Sequence, residues 1–196
     1  MSQKNKKIYL ITYVALFVAI ISIISQISIP MPSSVPLTFQ LLAVIFTGYL
    51  LKPHIAALTV LVYLAIGAAG APVFASFKGG FHVLLEYTGG FVWGFIVVAI
   101  LCSVFAKGRC SVLVGIASVI ICHAFGIVQY MLISNLSFQA SFIAISLPYL
   151  LKDILSVPLA RFFAQKVYDV TPISMKELGL VNSGLNSVKK GTRINK

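Results

Sequence analysis

Acidic side chains are nearly missing from this chain, with four Asp and Glu among 196 residues, and charged residues of either sign make up 10%. A soluble domain carries about 25%. With a mean hydropathy of +1.01, the deficit excludes an ordinary soluble domain and points to one integral membrane domain. Cysteine is scarce as well. Cys102, Cys110 and Cys122 form no C-x-x-C pair, and their odd number leaves at least one unpaired, so they read as small buried apolar residues. His54, His82 and His123 show no metal-ligand spacing, and His123 beside Cys122 is not the geometry of a nucleophile and its base. No nucleophile, base and orienting group converge, so no catalytic residue, metal or cofactor is expected. The phosphate-cradling G-x-x-x-x-G-K-[ST] loop is absent, which excludes ATP use by that route.

Basic residues are plentiful. A formal net charge of +11 invites a nucleic-acid reading, but the placement argues against it. Lys4, Lys6 and Lys7 precede the first apolar run, and most of the others lie in short connections or near the C-terminus. Charge flanking apolar spans is what the positive-inside rule describes, and the partner it implies is a lipid bilayer.

The hydrophobic runs and their breakers predict six membrane-spanning helices at about 8–27, 38–51, 54–69, 89–105, 110–133 and 141–167. The first run exceeds the roughly 7–15 residues of a leader's apolar core, and no small-x-small cleavage site follows it. It is kept as a span. Ser28–Leu37 (SIPMPSSVPL) holds three prolines and three serines and reads as an extended turn. Fourteen residues in the second helix rise only about 21 Å, less than a bilayer core, so that span is short or begins in the preceding loop. Pro148 and Pro158 fall inside the sixth. With six spans both termini share one side, and thirteen of the fifteen Lys and Arg fall there, which puts the termini in the cytoplasm. Residues 1–168 form the membrane domain, and 169–196 a polar, basic, loosely ordered cytoplasmic tail.

Between two apolar runs lies Gly67–Phe95, GAAGAPVFASFKGGFHVLLEYTGGFVWGF, with seven glycines, a proline and the charges Lys78 and Glu86. Backbone this broken cannot face lipid and must be satisfied by protein or water, so the stretch reads as an outer loop that helps form a pocket. Lys78 is the one basic residue expected outside; flanked by Gly79 and Gly80, its ammonium can meet a carboxylate where backbone approaches closely. Glu86 is the competing partner. The main anomaly within the spans is Lys152-Asp153. Intramembrane ionisable residues usually face a cavity and act there. Neighbours in a helix do not share a face, so the two are expected to be poor partners for each other. Gln40, with Thr38 before it, offers hydrogen bonds at a helix start. Aromatic residues such as Phe74 and Tyr149 crowd the expected outer side and can wall a pocket. Ala15 and Ala19, four apart, give the first helix a small-residue face.

Three motifs carry a family resemblance. Val35-Pro36-Leu37-Thr38-Phe39-Gln40 is similar to P-x-T-x-Q, Gly67–Ala75 (GAAGAPVFA) to G-x-x-G-x-P-x-F-x, and Thr88–Phe95 (TGGFVWGF) to T-G-G-Y-x-x-G-F. Together, over about residues 8–168, the chain resembles the BioY family of biotin transporters, substrate-binding (S) components of energy-coupling factor (ECF) importers. The resemblance implies an all-α six-helix S-component bundle in the bacterial plasma membrane, with a biotin pocket near the outer surface. Asp153 would bind the ureido N–H groups and Lys78 the valerate carboxylate, with Gln40 lining the pocket. Ala15 and Ala19 would dock on the transmembrane coupling subunit, which works with two ATPase subunits. Two departures stand out: Glu86-Tyr87 replace the family's Gly-Pro before T-G-G, and Ser156 stands where the family often has lysine. The alternatives are an S component for another small vitamin, a solitary biotin transporter, or, from other classes, a membrane enzyme or structural subunit.

Overall fold

The computed structural model describes residues 3–108, 110–171 and 180–182, with side chains from Lys7 onward. Its elements are α1 (Gln3–Ser25), β1 (Ser28–Ile29), β2 (Leu37–Thr38), α2 (Gln40–Leu50), α3 (Pro53–Ala68), α4 (Gly89–Val104), α5 (Ser111–Ser134), α6 (Phe138–Ile145) and α7 (Leu147–Val170). Two short 3₁₀ turns, Ala75–Phe77 and Phe81–Leu84, lie between α3 and α4. The architecture is all-α, as expected.

The apolar side chains point two ways. Val14, Phe17, Val18 and Ile21 of α1 pack inward, while Ile8, Ile11, Leu16 and Ile23 remain exposed. On α5 and α7, Leu113, Ile120, Phe125, Leu132, Leu151, Leu155 and Phe162 are exposed too. A surface of this kind suits hydrocarbon rather than water. Lys7–Ser25 and α5 are each long and apolar enough to cross a membrane; the bent pair α6–α7 passes the same test, and α2, α3 and α4 are shorter apolar helices.

The centre is α2. Nine of its eleven residues are buried, and it touches α1, α3, α4 and α7. It begins at Gln40 rather than Thr38, because Leu37 and Thr38 pair as a strand with Ile29 and Ser28. The expected 28–37 turn is therefore a two-stranded hairpin whose return strand leads into α2. The other end of α2 is deeply buried and leaves carbonyls without intrahelical donors. They find partners elsewhere: the Asn182 N–H donates to Leu50 O at 2.7 Å, and Ser103 Oγ donates to Leu51 O at 2.6 Å. Val181 bridges Leu51, and Lys52 N–H donates to Leu180 O at 3.1 Å. Thus three residues of the stretch read as a loose tail are pinned into the bundle, and α7 runs on to Val170. The rest of that tail, with Arg109 in the basic turn after α4, lies outside the described residues.

The sixth helix expected over 141–167, with Pro148 bending it, is interrupted two residues before that proline. It is two helices, α6 and α7, bent by 55°. The break sits at Ser146 (φ −111°, ψ −52°), and Pro148 falls in the first turn of α7, where a missing N–H leaves nothing unpaired. Pro158 stays within α7.

Glycine lets α4 pack tightly on α5. A Cβ on Gly90 of α4 would collide with the backbone carbonyl of Phe125 on α5, and one on Gly94 would lie 2.8 Å from Cys122 Sγ. Neither neighbour can yield easily, since one is backbone and the other is fully buried. Gly90→Val is therefore expected to cost about 1–3 kcal/mol through overpacking. Heat-induced unfolding of the detergent-solubilised protein checks this; an unchanged midpoint would mean that α4 and α5 are free to part.

Candidate ligand cavity

One end of the bundle holds an open cavity whose space, solvent beyond the mouth included, is about 690 Å³. Its walls come from the β2 approach (Val35, Pro36, Thr38), α2 (Gln40, Leu41), the 67–95 stretch (Phe74, Lys78, Thr88) and α7 (Tyr149, Lys152, Asp153), with Phe91 and Phe95 of α4 closing one side. Mostly apolar walls with a few fixed polar groups are the usual make-up of a small-molecule site.

The long loop is shaped by contacts that only glycine permits. Phe74 is 2% exposed, and its ring occupies the place a Cβ on Gly67 would take. It meets Tyr63 edge-on with ring centroids 5.5 Å apart. Phe74 N–H donates to Lys78 O at 3.0 Å, closing the turn that carries Lys78 to the cavity. Gly79 packs on the backbone of Gly70 and Ala71, and Gly80 adopts φ +109° and donates to Gly67 O at 2.7 Å. These two glycines shape the loop and are not among the residues that line the cavity.

The other expected residues meet at the cavity. Gln40 is 4% exposed and donates to the Tyr63 hydroxyl at 2.7 Å. That hydroxyl donates onward to Val73 O at 3.0 Å. Tyr149 on α7 donates to Val35 O at 2.5 Å and so ties the hairpin loop to the far wall. Thr38 contributes its carbonyl, which accepts from Lys152 Nζ at 2.6 Å.

Asp153 is 5% exposed and forms the deep polar centre. One carboxylate oxygen accepts from Lys152 Nζ and the other faces His123 Nε2 at 3.1 Å. The expectation that Lys152 and Asp153 are poor partners is thereby corrected. Their Cα–Cβ bonds do diverge, but the four-carbon lysine stem curls back across Phe39, with Nζ 5.7 Å from that ring's centroid, to reach both Thr38 and Asp153. His123, which the sequence offers only as a metal ligand or catalytic base, is the third member of this cluster. The signal for it was available, since it is an ionisable residue in a long apolar helix, and such residues need a named partner.

At the rim, Lys78 is half-exposed and pairs with Glu86 at 3.2 Å; His82 lies 3.8 Å from the same carboxylate. Glu86 is the competing partner foreseen for Lys78. Its backbone carbonyl is held by Gln129 Nε2 at 2.8 Å, and Tyr87 packs on Tyr130 with centroids 5.2 Å apart. The Glu86-Tyr87 departure is thus anchored to α5. Ala15 and Ala19 lie away from the cavity, on the exposed face of α1.

Removing Asp153 would leave the Lys152 ammonium without its carboxylate partner and His123 Nε2 without its own. Asp153→Ala is expected to cost about 3 kcal/mol even without ligand, by the usual penalty for breaking a buried pair from one side. Asp153→Asn, which keeps an acceptor and the volume, costs less. Thermal unfolding of both variants checks the order; equal midpoints would mean that the pair is not desolvated.

A lipid-facing helical bundle with a polar-ended cavity at one end defines a membrane protein that holds a small molecule. The model of the BioY family matches residues 1–173, and the chain belongs to that family. A probable biotin transporter BioY of Pyrococcus horikoshii is 32% identical over 157 residues, covering 80% of this chain and 94% of its own. The biotin transporter BioY of Thermotoga maritima is 38% identical over 116 residues, 57% and 68% of the two chains. Among solved structures, the S-component for biotin from an ECF-type ABC transporter superposes with a TM-score of 0.79 at 22% identity, covering 89% of this chain and 98% of the other. The fold is that of an S-component.

Proposed function

We propose that this chain binds biotin in the cavity and is the substrate-binding component of a biotin importer in the plasma membrane. The observation that carries the reading is a desolvated carboxylate, Asp153, lining the cavity with acceptor capacity left over, and a cation, Lys78, at its rim. A carboxylate offers about four lone-pair sites. Lys152 and His123 engage one on each oxygen, so the remainder can accept from the two ureido N–H groups of biotin. Phe74, Phe91 and Phe95 suit the apolar bicycle. Lys78 would meet the valerate carboxylate by exchanging it for Glu86, which costs little because exposed ion pairs contribute about 0–1 kcal/mol.

Six crossings with both termini in the cytoplasm agree with the six apolar units and with Lys52 and Lys107 in the connections between them. This arrangement puts the cavity on the outer side, where substrate arrives. Coupling to an ECF transmembrane subunit and two ATPases fits the face of α1 on which Ala15 and Ala19 stand exposed, since small residues let another helix approach closely.

Titration of the purified protein with biotin tests the reading, and absence of binding at micromolar biotin would remove it. Asp153→Asn is expected to weaken binding by at least about tenfold, as loss of a charge-assisted hydrogen bond does. Lys78→Ala is expected to do the same for biotin but not for biotin methyl ester. Unchanged affinity in both variants would move the site elsewhere. Ala15→Trp with Ala19→Trp should abolish co-purification with ATPase subunits while leaving biotin binding intact. Uptake by cells that lack any such subunits would instead favour solitary transport.

A further inference from the structure

We infer that His123 is a positioning residue for ligand recognition: it acts on the ligand through the Asp153 carboxylate and sets which of that group's lone pairs face the cavity. The inference rests on the biotin reading of the cavity. His123 is 2% exposed and is not one of the residues that line the cavity. Its ring is nonetheless held on three sides. Nε2 faces Asp153 Oδ2 at 3.1 Å, Nδ1 lies 2.9 Å from Ser146 Oγ, and the ring meets the cavity residue Phe91 edge-on with centroids 5.3 Å apart.

The Ser146 contact coincides with the break in the sixth span. Ser146 stands at the N-cap of α7, where a serine normally turns its hydroxyl onto the helix's own N–H groups. Here the hydroxyl makes no such cap and is directed to His123. The break thus releases a hydroxyl to orient an imidazole, and the imidazole orients the carboxylate. With Nε2–H donating to Oδ2 and Lys152 donating to Oδ1, the carboxylate cannot rotate freely. Its unused lone pairs are presented in one arrangement before any ligand arrives. Such pre-organisation raises affinity by lowering the ordering cost of binding. A histidine that only filled a polar hole in the core would affect stability without this link to the ligand.

A double-mutant cycle read by biotin titration separates the two roles, with thermal unfolding measured alongside. In the Asp153 background, His123→Leu is expected to weaken biotin binding by about tenfold or more, as loss of a hydrogen bond to a charged group does. In the Asp153→Ala background, where no acceptor is left for the imidazole, the same change should cost less than about twofold. His123→Gln, which keeps an N–H donor, should restore binding to within about threefold of wild type. Equal losses in both backgrounds, or Gln behaving like Leu, would overturn the inference while leaving the biotin reading in place. Failure of the wild-type protein to bind biotin would overturn both. If His123→Leu does not fold, Ser146→Ala takes its place in the cycle. It frees the ring from its other side, and affinity unchanged in the Asp153 background would then overturn the inference.

Discussion

A carboxylate buried in a bundle whose outer surface faces hydrocarbon must be compensated by donors within reach, and this requirement organises one end of the molecule. Asp153 lies on α7, whose outward side carries Leu151, Leu155 and Leu159. Effective desolvation of one such ion costs several kcal/mol. The compensating donors come from two elements, Lys152 on α7 itself and His123 on α5. Each is held in turn, Lys152 by the carbonyl of Thr38 and His123 by the hydroxyl of Ser146. The return strand of the hairpin, the middle of α5 and the α6–α7 break are therefore all referred to one charge.

The two charged centres of the cavity differ in kind. The deep one is shielded and its groups have little freedom, so it suits recognition of a neutral, directional set of N–H donors. The rim one is exposed, and Lys78 and Glu86 can part at small cost. A ligand with N–H groups at one end, an apolar middle and a carboxylate at the other matches this order of environments. Between the centres, the glycines of the 67–95 stretch let Phe74 seat against α3 and let α4 lie tight on α5, which turns a loop and a helix start into a wall.

A second anchor lies at the opposite end of α2. That helix is too short to leave its last carbonyls in water or headgroups, and Leu50 and Leu51 end in the core. Asn182 and Ser103 satisfy them. Residues 180–182 thereby act as part of the bundle, although their surroundings in the sequence are polar and basic.

What the sequence by itself determined is the membrane class, the order and approximate limits of most helices, the family motifs, and the candidates Asp153, Lys78, Gln40, Thr38, Phe74 and Tyr149, all of which line the cavity. The membrane class, the helix limits and the prominence of Asp153 and Lys78 follow from composition, from runs of apolar residues punctuated by proline and glycine, and from charges that are conspicuous in an apolar background; the motifs and the lining role of Gln40 rest on the family resemblance. Only the tertiary structure decided that Lys152 curls onto Asp153, that His123 is their third partner, that Gly79 and Gly80 shape the loop, that the last span breaks at Ser146, and that part of the tail docks on α2. The physical reason is the same in each case. These outcomes depend on hydrogen bonds and close contacts between distant positions, 30 residues apart for His123–Asp153 and 114 for Lys152–Thr38. Such pairings leave no periodic trace along the chain, and a long flexible side chain can defeat the rule that adjacent helical residues face apart.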